Sequence, residues 1–587
     1  MTTDDVTDVT DATACEQDAT TLHLPWPFTG REDELELVRG SLTCGRHGIA
    51  VTGPAGRGKT RLVTEAVRGT DRARVTGTPE ARGLDFAAFA HLLPEPVSPH
   101  RAVHLLSGVR LLVVDDAHLL DAASAALVHQ LAVHGRTRLV VIAADDVPVP
   151  GAVSRLWTGE LLPRLALEPL PREETARLLT AGAGRALEPL TAGRLHRLCR
   201  GDLRLLRDLV GAVREGGLIT RVPGTDEWAW RGPVPVTTAV RERVAPALDR
   251  PEREMLERLA FAEPLPLHLD DLDLDALERL EADGLIDVGD RGDIRLAHPL
   301  HGPALRATAG KLRAGRLTRM PDLCGPALAA ERDTLARRIA DADVRAVPTP
   351  VGEWLAGEGA PVPAGYAAVR ARFARLRGQV LEAAAWAREG LRGTPDDPAC
   401  RAELACATGR FASSRRDAGD DTYALYEAVR LGTPEQVTRR LPRGSVFARH
   451  ADALARGDGP ALDRVAEALR ERGFLLFAAE AHAQAARAHR DPRAARTSRT
   501  RAVALARRCQ GARTPALAGL VLGELTARQR QIVTLAAAGL SNRQIAERLT
   551  LSVRTVGNHL YSAYARLGAS DRGELPWLVD LPDARSA

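Results

Sequence analysis

Gly53-Pro54-Ala55-Gly56-Arg57-Gly58-Lys59-Thr60 sets three glycines, a lysine and a hydroxyl at the spacing GxxxxGK[ST]. Glycines at 53, 56 and 58 let the backbone wrap until its amide hydrogens converge on an anion. A helix starting at the end of such a loop adds its positive terminus. Lys59, one of only two lysines in the chain, would then reach the β and γ phosphates of a nucleotide, and the Thr60 hydroxyl would hold magnesium. Leu111-Leu112-Val113-Val114 runs into Asp115-Asp116. A buried parallel strand that delivers a carboxylate at its end suits the same chemistry. Asp115 is the expected metal-facing carboxylate, and Asp116 the residue that would orient or activate an attacking water. ATP or ADP with Mg2+ is therefore the expected ligand. Whether it is turned over stays open: slow hydrolysis would serve as a switch, and no nucleophile–base pair of a metabolic enzyme is readable.

The elements that must position this loop are legible on either side. Ile49-Ala50-Val51 reads as a buried strand before it; Leu62, Val63, Ala66 and Val67 recur at helical spacing after it. Leu139-Val140-Val141-Ile142 is a further strand, and Pro169 and Pro171 mark the edge of an α/β domain with a mostly parallel sheet over 25–171. Residues 1–24, mostly Asp, Thr and Ala at first, read as a disordered lead-in without the basic start and apolar run of a secretory signal.

A chain of 587 residues is too long for one core and divides into several domains. Residues 172–235 form a helical extension. In 236–315, Leu274, Leu277 and Leu280 would face a core from one helix that Gly284 ends. Two short strands, 285–288 and 293–296, follow with a turn at 289–292, which together make a winged-helix unit. From 316 to 515 helix follows helix, rich in Ala and Leu, with 367–391 and 462–488 as examples and a loop at 412–425; this is a solenoid-like, TPR-like array offering a surface to an effector. Seven scattered cysteines imply free thiols, and no run is apolar enough for a membrane helix, so a cytoplasmic protein without a membrane partner is expected.

Three short helices close the chain within 522–580. Thr526 caps the first, ended by Gly539; Ser541 and Gln544 form a capping box on the second; Ser552 caps the third. On the third, Val553, Val556, Leu560, Tyr564 and Leu567 share one stripe, while Arg554, Thr555, Asn558 and Ser562 lie opposite. Those polar types meet phosphates and base edges in a major groove. Gly557 stands inside this helix, near the edge of the stripe, where it weakens the helix or lets a neighbour approach. Seven arginines against four carboxylates give residues 524–574 a local charge of +3, against +4 for the whole chain. A packing cap on the solenoid is the alternative these patterns leave open.

The stretch Leu525-Thr526-Ala527-Arg528-Gln529-Arg530-Gln531-Ile532-Val533, then 539–549 and 551–560, closely resembles the LuxR-type helix-turn-helix, as does Tyr564-Ala565-Arg566-Leu567-Gly568. The resemblance implies double-stranded promoter DNA as partner. It adds Ser541, Asn542, Arg543 and His559 to the expected DNA-binding residues and implies dimerisation through 572–578. Gln529 and Gly557 depart from the pattern. The chain as a whole resembles the large ATP-binding regulators of the LuxR family, with a signal-transduction ATPase domain. Phe28-Thr29-Gly30-Arg31-Glu32 and Leu296-Ala297-His298-Pro299-Leu300 carry that likeness. It implies that His298 senses bound nucleotide, that the chain self-associates on activation, and that an effector and RNA polymerase are partners. Asp145-Asp146 and Gly201-Asp202-Leu203 depart from the family's pattern for sensing nucleotide. The fold class expected is thus multidomain α/β plus α: a P-loop NTPase domain, a winged-helix region, a helical middle and a C-terminal LuxR-type helix-turn-helix. The expected function is an ATP-responsive transcriptional regulator, an activator by analogy; the alternative is a signalling ATPase acting through protein partners with a degenerate DNA-binding end.

Overall fold

The computed structural model describes residues 26–567 except 44–46, 95–96, 267–271, 290–292, 318–323, 409–420, 435–438, 511, 513, 519–526, 538, 550 and 552. The lead-in, Thr526, Ser552 and the segment 568–580 lie outside the described residues, as does most of the turn at 289–292.

Five strands, β1 (Gly48–Thr52), β2 (Ala73–Thr76), β3 (Leu111–Asp115), β4 (Arg138–Ala143) and β5 (Arg164–Ala166), form one parallel sheet in the order β2-β3-β4-β1-β5. Alternation along a strand sends successive side chains to opposite faces. Ala50, Leu112, Val114, Leu139 and Val141 pack on the side that holds the helices Pro99–Leu106, Ala122–His134 and Gly151–Thr158. Ile49, Val51, Leu111, Val113, Val140 and Ile142 pack with Val38, Leu62, Val63 and Val67 on the other. Because both faces are covered, β1, β3 and β4 read as continuous apolar runs. All five strands are parallel, so their C-terminal ends lie along one edge, where ligands of such sheets bind.

Three helices follow, Arg172–Ala183, Pro189–Cys199 and Leu203–Glu215, then an antiparallel hairpin of β6 (Ile219–Arg221) and β7 (Trp228–Trp230). The hairpin is too short for its period to show in sequence. The winged-helix region brings β9 (Ile286–Val288) and β10 (Asp293–Leu296) together as read, and adds a two-residue strand, β8 (Leu265–Pro266), to give the order β8-β10-β9. Leu277 and Leu280 are buried, but Leu274 is 53% exposed, because it occupies the first position of its helix, Leu274–Ala282. One continuous core runs from Leu179 and Leu206 through Trp230 to Leu256, Leu280 and Leu305, so the extension and the winged-helix region pack as a unit.

Ten helices between Cys324 and Arg507 make up the helical middle among the described residues. The stretch 367–391 is two helices, Ala364–Leu376 and Val380–Gly393, and 462–488 likewise divides into Gly459–Glu471 and Leu475–Ala488. Gly378 and Gly473, at φ 84° and 88°, turn the chain back in the left-handed region that a side chain disfavours. The expected loop at 412–425 ends sooner, since Thr422–Arg430 is helical. Cys199, Cys400 and Cys509 are buried thiols and Cys406 a half-buried one. Among the described residues no helix is long and apolar enough to cross a membrane.

The array meets the extension through charge. Arg172 pairs with Glu382 (3.1 Å), Arg194 with Glu358 (3.3 Å), Arg197 with Glu353 (2.9 Å) and Arg231 with Glu389 (3.3 Å). Arg194 also stacks 3.8 Å over the Trp230 ring and donates to Gly357 O at 2.5 Å.

Candidate nucleotide site and DNA-binding domain

The loop 53–58 leaves the end of β1, and the helix Lys59–Ala66 begins as it closes. Gly53, Gly56 and Gly58 all have positive φ (142°, 78° and 85°). A Cβ at Gly56 would stand 2.1 Å from an Asp202 carboxylate oxygen, so the helical extension presses directly on the loop. Leu203 N donates to Gly56 O at 2.9 Å, and Asp202 caps its helix by accepting from Arg204 N and Leu205 N.

Lys59 is buried and donates to Gly53 O and Pro54 O at 2.6 and 2.8 Å. Burial lowers its pKa, against the carboxylates of Asp146, Asp116 and Asp145. Thr60 Oγ1 donates to Asp115 Oδ1 at 3.0 Å, joining the loop helix to the end of β3. Arg74 on β2 holds the other oxygen, Asp115 Oδ2, at 2.6 Å. Asp116, in the left-handed region at φ 47°, donates its amide to Asp115 Oδ1 at 3.0 Å and is only partly buried. His118 Nδ1 accepts from Ala144 N (3.3 Å) at the end of β4, and burial lowers its pKa. The structure therefore brings Gly53, Gly56, Gly58, Lys59, Thr60, Asp115 and Asp116 to one edge of the sheet.

The residues suit a nucleotide. An anionic oxygen already lies against the loop: Asp146 Oδ2 accepts from Ala55 N at 3.4 Å, the kind of contact a phosphate oxygen makes. Among the described residues the buried Arg57 Nη1 has no hydrogen-bond partner, and burial lowers the pKa of that guanidinium. Asp145 is committed elsewhere, to Arg164 at 2.9 Å.

Arg243 lies 3.6 Å from Asp202, which faces Gly56, and Arg243 and Arg200 both bear electrostatically on His298. Its Nδ1 accepts from Leu300 N at 3.2 Å, so a neutral ring carries its hydrogen on Nε2. Burial first, then Arg200, pushes its pKa down to about 3. His301, its ring centroid 5.2 Å away, is pushed down to about 4 by the same two causes in the same order. Sequence reasoning marked Asp202 only as a departure from the family's pattern and missed Arg57, Arg74 and Arg243 as members of this site. An arginine or aspartate in a composition so rich in both gives no local signal.

At the other end, three helices, Ala527–Ala537, Asn542–Leu549 and Val553–Leu567, enclose a core of Ile532, Val533, Ile545, Leu549, Val556, Leu560 and Ala563. The capping box forms: Ser541 N donates to Gln544 Oε1 at 2.8 Å and Gln544 N to Ser541 Oγ at 3.3 Å. Val553 departs from the expected stripe, being 50% exposed, because the third helix begins there beyond the reach of the core. Arg554 and Asn558 are exposed, Thr555 and His559 half-buried; the side chain of Ser562 lies outside the described residues. Ser541 and Arg543 are exposed and Asn542 half-buried, with Arg543 paired to Glu547 at 3.1 Å. A Cβ at Gly557 would meet nothing within 4 Å, so no neighbour among the described residues needs that glycine. Gln529 is buried, where a neutral amide costs less than a carboxylate would.

Residues 523–578 match the model for bacterial regulatory proteins of the luxR family. The C-terminal domain is a LuxR-type helix-turn-helix. Proteins named as HTH-type transcriptional regulators in Mycobacterium bovis and Mycobacterium tuberculosis are 45% identical over 74 residues, which is 13% of this chain and 8% of theirs. YhjB, an HTH-type regulator of Escherichia coli K12, is 42% identical over 60 residues, 10% of this chain and 30% of its own. The chain thus spans under a tenth of the mycobacterial relatives it matches. Among solved structures, the RuvB Holliday junction branch migration motor of Thermotoga maritima is 18% identical and aligns with 46% of this chain and 92% of its own, at a TM-score of 0.27. A signal transduction ATPase with numerous domains and a tetratricopeptide repeat sensor, from Pyrococcus horikoshii, is 15% identical and aligns with 92% of this chain and 78% of its own, at 0.24. The LuxR-type domain touches the nucleotide domain through Gln531 Nε2, which donates to Glu36 Oε2 at 2.7 Å, a contact that leaves Arg554 and Asn558 exposed.

Proposed function

We infer that this chain is a transcriptional regulator whose LuxR-type domain binds promoter DNA and whose N-terminal site binds ATP or ADP. The observation that carries the reading is the third helix of the LuxR-type domain. Val556, Leu560 and Ala563 are buried in the domain's core while Arg554 and Asn558 stand exposed to meet base edges and phosphates. Ser541, Asn542, Arg543, Thr555, His559 and Ser562 complete the proposed DNA surface.

In the nucleotide site, Gly53, Gly56, Gly58 and Lys59 would hold the phosphates, and Thr60 and Asp115 the magnesium. The metal, when bound, would neutralise charge between the β and γ oxygens. Lys59 keeps its ammonium on the loop, and Asp116 stands ready to orient water. His298 reads the state of the loop through Arg243 and Asp202. In this reading ADP favours the closed arrangement, and ATP with an effector on the helical array favours an open one. Opened chains would self-associate and engage two half-sites in the cytoplasm, where they would contact RNA polymerase as an activator.

The test is selection of duplexes from a random-sequence pool by the full-length protein, at fixed salt. Wild type is expected to enrich a paired motif, and Arg554→Ala/Asn558→Ala to enrich none. A wild type that enriches no sequence overturns the reading and favours a signalling ATPase with a degenerate DNA-binding end.

A further inference from the structure

Charge in this chain is strongly segregated. Residues 487–513 hold nine arginines, no lysine and one acidic residue, Asp491, a net of +8. The whole chain is only +4, so everything outside those 27 residues is net −4, even though it includes the LuxR-type domain. The segment is centred on the last helix of the array, Pro492–Arg507.

That helix buries Ser498, Ala502, Val503, Leu505 and Ala506 against its neighbours. Arg493, Arg496 and Arg499 are exposed and recur every three residues, one ridge along the helix with steps of about 4.5 Å. Arg490 and Arg508 are exposed just beyond its two ends. The only carboxylate in the segment, Asp491, is engaged in capping, accepting from Arg493 N and Ala494 N. Among the described residues no ion pair forms at Arg490, Arg493, Arg496, Arg499 or Arg508, whereas the buried arginines Arg370 and Arg430 of the array are held by carboxylates. Arg430 holds Glu480 at 2.7 Å and Glu427 at 2.6 Å, and Arg370 holds Glu382 and Glu353 at 3.1 and 3.3 Å.

We propose that the arginine ridge of helix Pro492–Arg507 is a second DNA contact, one that grips the phosphate backbone of the duplex beside the site read by the LuxR-type domain. This rests on the DNA-binding reading above. Three observations select duplex DNA over an acidic protein. No large apolar side chain is exposed on this helix among the described residues, and protein interfaces need such anchors. Guanidinium groups match phosphate oxygens in a forked geometry, and a ridge of them fits a line of phosphates without reading sequence. Finally, Arg487 donates to Ala516 O and Ala518 O at 2.7 and 3.1 Å, fixing the point where the chain leaves the array beside the ridge. Residues 519–526 then lead to the first helix of the LuxR-type domain, and eight residues reach no further than about 28 Å. Once that domain is on DNA, the ridge is held at high local concentration near the flanking duplex.

The test uses the full-length protein and a duplex of random sequence, with affinity measured by fluorescence anisotropy between about 50 and 200 mM salt. Each phosphate contact steepens the slope of log affinity against log salt by about 0.9, so Arg493→Gln/Arg496→Gln/Arg499→Gln is expected to flatten it by about 2.7. On a selected site, the variant's footprint is expected to shorten on one flank while the preferred motif is unchanged. Unaltered thermal unfolding of the variant confirms that only surface charge has changed. A wild type that binds no duplex sinks the DNA-binding reading itself. A wild type that binds, with a variant of equal slope and equal footprint, sinks the ridge alone. Equal slope with lost promoter activation would assign the ridge to an acidic protein and overturn the proposal.

Discussion

Thr60 donates its hydroxyl hydrogen to Asp115 across 3.0 Å, and Arg74 grips the same carboxylate from the other side. The end of β3 is thereby locked to the start of the helix that follows the phosphate loop. A metal bound there would meet a carboxylate already aimed by two partners, one on each oxygen. Lys59→Ala is expected to reduce binding of a fluorescent ATP analogue at least a hundredfold, while Thr60→Ala weakens it chiefly when magnesium is present. Equilibrium titration with and without magnesium checks both, and equal binding by Lys59→Ala would contradict the placement of the site.

Asp146 lies against the amide of Ala55 and contributes to the field around Lys59. Its charge opposes that of an incoming phosphate. Asp146→Asn is expected to tighten nucleotide binding about fivefold, equivalent to roughly 1 kcal/mol, the scale of one charge pair screened as in water. The gain should shrink as salt rises. Unchanged affinity at low salt would show that Asp146 does not face the phosphates.

Arg231 holds Glu188 at 2.6 Å and Glu389 at 3.3 Å, both of them almost fully buried. Burial raises the Glu188 pKa and Arg231 opposes the rise. Arg231→Ala leaves Glu188 buried without its cation, while Glu389 keeps Arg392 at 3.3 Å, at a cost of about 3 kcal/mol. Denaturant unfolding should show an earlier transition for the extension and array. A loss within about 0.5 kcal/mol would mean that the seam is hydrated and contributes little.

His298 and His301, held at about 3 and about 4, titrate near 6.5 in an unfolded chain. Between these values the unfolded state binds more protons, so their contribution is lost as pH falls from about 6.5 to about 4 for His301 and to about 3 for His298. Glu263 acts in the opposite direction. Burial pushes it up to about 7, so its contribution is present in acid and is lost as pH rises through that value. His298→Gln/His301→Gln is therefore expected to shrink the loss of stability between pH 7 and pH 5, and the difference from wild type isolates the two histidines. Identical pH dependence would mean that the rings are solvated in the native protein.

The sequence by itself determined the local chemistry. The phosphate loop, the acidic end of β3 and the capping box at Ser541 depend on residue types a few positions apart, and short-range backbone geometry fixes them. It also carried the likeness of residues 525–568 to the LuxR-type helix-turn-helix, while the helical spacing there left a packing cap open. Only tertiary structure decided that Asp202 presses on Gly56, that Arg74 completes Asp115 and that Arg243 reaches Asp202. Those contacts join residues tens of positions apart, and in a chain with 80 basic and 76 acidic residues no composition marks which charges will meet. The same holds for the breaks at Gly378 and Gly473: an Ala- and Leu-rich stretch has the same helical period on either side of a turn. The ridge at Arg493, Arg496 and Arg499 belongs to both levels. Its charge is written in the sequence, but its freedom from carboxylates is decided by how the array packs.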